Sequence, residues 1–212
     1  MNKGRLEAFS DGVIAILITI MVLELRVPQG SDWSSLRSIL PRFLTYVLSF
    51  ILLGIYWNNH HHMLHATERI SGGVLWANLH LLFWLSLVPV VTAWMGGNPH
   101  AVAPTAAYGI VLLLCAAAYT ILQTTILRVD ANRRLASAIG SDFKGKISLL
   151  LYTSAVALAF FRPWISDVLY ATVALIWLVP DRRIERRLIS SDADSPEPEL
   201  SAEEATHTRF GA

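Results

Sequence analysis

The chain has 212 residues, 54% of them hydrophobic and only 16% charged, against about 25% charged in an ordinary soluble domain. That is too little polar surface for a water-soluble globule, and disorder and nucleic-acid binding are excluded with it; the lone Cys115, inside an apolar run, excludes an intrachain disulfide or a metal-thiolate framework. The formal charge of +1 conceals an asymmetry, because residues 190–212 carry six acids and one base while the rest of the chain is basic.

Six apolar segments follow one another at 12–25, 39–57, 74–95, 105–127, 147–161 and 168–180. At about 20 apolar residues per crossing, six crossings use about 120 residues. The expectation is therefore an all-α membrane protein, with six transmembrane helices in a domain covering 1–188. The first segment is short, and its helix is expected to begin upstream at Leu6. No small-residue cleavage site follows it, so it reads as a retained helix and not a signal peptide. Between the last two segments, Arg162-Pro163-Trp164 reads as a tight hairpin, since proline ends one helix and can start the next. The acidic stretch 189–212, rich in Ser and Pro, cannot bury enough to fold and is expected to be a disordered cytoplasmic tail.

Cations set the orientation. With six spans, twelve Lys and Arg residues, among them Lys3, Arg5, Arg128, Lys144 and Lys146, fall on one side. Four fall on the other: Arg26, Arg37, Arg42 and Arg162. Both termini are then cytoplasmic, in a multi-pass protein of the cell membrane. Trp33, Trp94 and Trp164 mark the outer interface, and Trp57 and Trp76 the inner one.

The first helix carries the chemistry. Arg5, Phe9, Ser10 and Asp11 open it, and charged groups at a membrane edge are costly unless paired or solvated. An interfacial ion pair with an N-cap is the ordinary reading of these residues. At about 100° per residue, Gly12, Ile16, Thr19, Ile20, Leu23 and Val27 fall on one stripe, with Asp11 roughly opposite. Such a stripe faces lipid, a packed core, or the symmetry axis of an oligomer. Geometry alone leaves these open. Glu24 lies off the stripe and reads as a salt-bridge partner of Arg26 or Arg42.

The pattern Arg5-x-x-x-Phe9-Ser10-Asp11 resembles the signature of the transmembrane protein 175 family of potassium channels. Tyr56-Trp57-x-x-His60-His61, Trp76-x-Asn78-Leu79 and Leu87-Val88-Pro89 continue the likeness over about the first 95 residues. The resemblance implies a pore lined by the first helices. One copy of the motif implies a homotetramer, with K+ as the permeant ion. It further implies a hydrophobic constriction at Ile16, a selectivity-related hydroxyl at Thr19, and narrow layers at Ile20 and Leu23. No carbonyl-filter loop is present.

Asp11, His60 and Asn78 share one depth. With Arg5 they are expected to form a buried polar network that fixes the pore helix, with Phe9, Ser10 and Trp76 completing the signature. The run His60-His61-His62-x-x-His65 has metal-ligand spacing between His61 and His65, but with Glu68 alone nearby no metal site is expected. His80 reads as a packed, hydrogen-bonded imidazole. An enzyme is not expected, because no catalytic set lies within the spans, and no cofactor is expected. The rival reading is a proton-coupled or weakly selective cation or proton transporter. That would call for inverted repeats and mid-membrane ionisable groups, and neither is evident.

Overall fold

The computed structural model describes residues 3–28, 30–65, 67, 69–129 and 143–178. The acidic tail at 189–212 and part of the basic complement counted above lie outside these residues. Among them the chain forms seven α-helices: α1 (Lys3–Leu23), α2 (Leu40–His65), α3 (Gly72–Ser86), α4 (Val88–Gly97), α5 (Val102–Val129), α6 (Phe143–Ala159) and α7 (Pro163–Leu178). A short 3-10 helix, Trp33–Ser38, precedes α2.

The helix boundaries follow local chemistry. Ser71 caps α3 by accepting from the Val74 N–H at 3.3 Å. Pro163 opens α7 directly after the turn that ends α6, where the Arg162 N–H reaches the Leu158 carbonyl at 2.8 Å. The expected single third span is instead two helices, which raises the six expected to seven. Pro89 has no N–H to give Leu85 and its ring crowds that carbonyl, so the helix stops at Leu87 and restarts as α4. Taken together, Gly72–Gly97 is still 26 residues of apolar helix, as long as α2.

Among the described residues, four stretches are long and apolar enough to cross a membrane: α1, α2, Gly72–Gly97 and α5. Within the described residues α6 and α7 run for 17 and 16 residues, about 26 and 24 Å at 1.5 Å per residue, against a hydrocarbon core about 30 Å thick.

The centre of the bundle is α5, packed by α3, α4, α6 and α7. Its small residues Ala106, Gly109, Cys115 and Ala118 let neighbours approach closely. A Cβ at Gly109 would overlap the Tyr170 hydroxyl and the Val156 side chain. A buried hydroxyl trio binds α2 to α4 and α5, with Ser49 Oγ 2.7 Å from Thr92 Oγ1 and 2.9 Å from Tyr108 Oη. The Tyr170 hydroxyl donates to the Thr105 carbonyl at 3.0 Å, fixing α7 on α5. Against α2, α3 and α4 lies α1, held at the edge of the bundle.

Candidate functional site

Two faces of α1 meet different surroundings. Leu6, Ser10, Ile14, Leu17 and Met21, spaced three or four apart, are buried against the bundle. That spacing puts them on one helical line. The other side faces out: Gly12, Ala15 and Thr19 are exposed, with Ile16 57%, Ile20 42% and Leu23 78% accessible. Every residue expected on the stripe from Gly12 to Leu23 thus points away from its own subunit. The Thr19 hydroxyl donates back to the carbonyls of Ile16 (2.9 Å) and Ala15 (3.1 Å). With the hydrogen engaged by the backbone, the oxygen lone pairs remain as acceptors on the exposed face.

At the N-terminal end of α1, the expected single network divides in two. Asn78 Nδ2 donates to Ser10 Oγ at 2.9 Å, and Asn78 Oδ1 lies 2.7 Å from His60 Nε2. Since the amide oxygen can only accept, His60 carries its hydrogen on Nε2, and its buried Nδ1 is without a partner among the described residues. All three side chains are buried. Asp11 stands apart from this trio, half-buried, and accepts from the Trp57 indole N–H at 3.0 Å. The reason is rotational. Ser10 and Asp11 point about 100° apart, so only one of them can share the buried line with Leu6 and Ile14. Arg5 is exposed and lies outside the buried trio, and Phe9 and Trp76 are exposed as well.

The histidines form a column along the end of α2. Trp57 stacks on His61 and His61 on His65, with ring centroids 6.0 and 6.1 Å apart. His80 accepts from the Trp84 indole at 2.9 Å. Glu24 is exposed and makes no ion pair with Arg26 or Arg42 among the described residues. Sequence reasoning missed the Ser49–Thr92–Tyr108 trio and the role of Trp57 as partner of Asp11. A lone hydroxyl inside an apolar span signals that a partner is needed, but not which one.

Comparison with known proteins supplies the rest of the context. The family described as "Endosomal/lysosomal potassium channel TMEM175" matches residues 5–89. A potassium channel of Chryseobacterium sp. (strain P1-3) is 58% identical over 189 residues, which are 89% of this chain and 98% of that one. The endosomal/lysosomal proton channel TMEM175 of Homo sapiens is 36% identical over 124 residues, 51% of this chain and 22% of that one. Among solved structures, that of a lysosomal potassium-selective channel TMEM175 homolog from Chamaesiphon minutus superposes with a TM-score of 0.74 at 31% identity, covering 84% of this chain and 96% of that one.

Proposed function

The chain belongs to the TMEM175 family of potassium channels, and from that premise we propose that it conducts K+ across the cell membrane through a pore lined by α1. The working unit is a homotetramer. Its subunits cross the membrane six times, with α3 and α4 counted as one broken crossing, and both termini are cytoplasmic. The observation that carries this reading is the outward face of α1, where Gly12, Ile16, Thr19, Ile20 and Leu23 stay exposed among the described residues of their own subunit. Small residues on that face, Gly12, Ala15 and Thr19, suit close approach between helices.

Around a four-fold axis each such residue becomes a ring of four. A ring of Ile16 side chains narrows the path and closes it by excluding water. A ring of Thr19 oxygens, with their hydrogens turned back to the helix, offers weak acceptors to an ion that has shed part of its hydration. Potassium sheds water at lower cost than sodium, so a tight apolar neck with such a collar favours potassium. Ile20 and Leu23 add further narrow layers. The buried Ser10–Asn78–His60 trio and the Asp11–Trp57 bond hold the N-terminal end of α1 to its own bundle.

A second reading is a weakly selective cation or proton path through the same apolar neck. The human relative, named a proton channel, favours it. Potassium, sodium and proton fluxes from loaded liposomes carrying the purified protein separate the two. Potassium flux is expected to exceed sodium flux, and Ile16→Asn to wet the neck and raise both. Equal fluxes of all three ions would favour the second reading. An Ile16→Asn protein with unchanged flux and selectivity would remove Ile16 from the narrow point.

A further inference from the structure

Toward the end of the bundle where α5 finishes and α6 begins, α2 and α6 make no extended contact; α7 packs on both, and Tyr56 of α2 meets Tyr119 of α5 edge-on. A cavity of about 40 Å³ lies in the gap, open on one side. Tyr56 of α2, Ala116 and Thr120 of α5, Gly145 and Ser148 of α6 and Trp177 of α7 line it. Aliphatic and aromatic side chains make up most of the remaining lining. None of the α1 residues assigned to the pore touches it.

The rim is a fixed polar assembly. The Trp177 indole donates to Ser148 Oγ at 2.7 Å, and that hydroxyl donates to the Lys144 carbonyl at 2.8 Å. The Lys144 ammonium lies 5.9 Å from the centre of the Trp177 ring. Arg128 and Lys146 add positive charge at the same ends of α5 and α6. A slot of this size has room for roughly three water-sized groups, and with few polar partners it suits methylenes better than water. An indole at the rim and a cation beside it are the chemistry of a lipid interface.

We propose that this cavity is a site for an anionic phospholipid, which places the first methylenes of one acyl chain between α2 and α6 and its phosphate beside Lys144. Charge complementarity selects the headgroup, and the slot between α2 and α6 selects the chain. The proposal rests on the membrane reading above and not on conduction. Lipid retention and ion flux are separate readouts, so failure of one is distinguishable from failure of the other.

Native mass spectrometry of the full-length protein in detergent tests it, with phosphatidylglycerol and phosphatidylcholine of identical chains added in turn. The wild-type protein is expected to retain phosphatidylglycerol about fivefold better. Lys144→Gln is expected to bring it down to the phosphatidylcholine level. Ala116→Leu, which adds bulk at the lining, should reduce retention of both lipids. Should that variant fail to fold, Thr120→Leu adds bulk at the same lining and gives up only a hydroxyl bonded to its own helix. Equal retention of the two lipids by the wild type overturns the proposal. So does a headgroup preference that survives Lys144→Gln. Retention untouched by either filling variant means adsorption at the charged surface alone, and overturns it too.

Discussion

Two helices of this protein, α1 and α5, look alike as sequence: each is a long apolar run able to cross a membrane. Their surroundings differ. A broad face of α5 is buried, from Thr105 and Tyr108 through Leu112, Cys115 and Leu122 to Ile126, and a stripe with Ala103, Ile110, Ile121 and Thr124 faces out. On α1 only the line Leu6, Ser10, Ile14, Leu17 and Met21 is buried. Partitioning into a bilayer is insensitive to this difference, because lipid and protein interior are both apolar. The difference separates a helix packed by four neighbours over a broad face from one held along a single line.

Substitutions on the two helices should therefore act in different currencies. The largest loss of stability is expected from Gly109→Leu in α5, where the new side chain runs into Tyr170 and Val156. Thermal unfolding in detergent should register about 3 kcal/mol of overpacking. A variant as stable as the wild type would mean that the centre of the bundle can yield. Next comes Asn78→Leu, which leaves Ser10 and His60 buried without their shared partner. It should cost about 2 kcal/mol and loosen α1 while leaving the packing around α5 intact.

Trp57→Phe keeps the ring and removes the indole hydrogen donated to Asp11. A loss of about 1 kcal/mol is expected at this half-exposed bond, together with altered gating in single-channel records. An unchanged melting curve and unchanged open probability would show that the Asp11 contact is incidental. The smallest effect on stability belongs to Thr19→Val. Its hydroxyl bonds only its own helix, so stability should stay within about 0.5 kcal/mol. The potassium-over-sodium flux ratio should nevertheless fall. If both properties stay constant, Thr19 contributes nothing to selectivity.

Much of the fold is legible in the chain. The apolar segments fall on helices, proline marks the start of α7, and the stripe from Gly12 through Thr19 to Leu23 is one continuous face in the folded subunit, although Val27, expected to extend it, lies beyond the end of α1. The site is less so. Ser10 and Asp11 are adjacent polar residues at one helix start, and nothing in their order tells which turns inward. Grouping Arg5 and Asp11 with His60 and Asn78 by depth alone overlooked rotation about the helix axis, which sends Ser10 into the bundle and leaves Arg5 exposed. The break at Leu87 could have been drawn from Pro89, whose missing N–H opens the third span.

Hydropathy summed over each segment was enough to establish a helical membrane protein and where its apolar helices lie, because transfer into a bilayer is a sum of local, per-residue terms. Folding had to choose the partners: Ser10 meets Asn78 across 68 residues of chain, and Asp11 meets Trp57 across 46. Such pairings depend on how each helix is rotated and which neighbour it packs against. Packing of the whole bundle sets that rotation, and the same packing leaves one side of α1 uncovered.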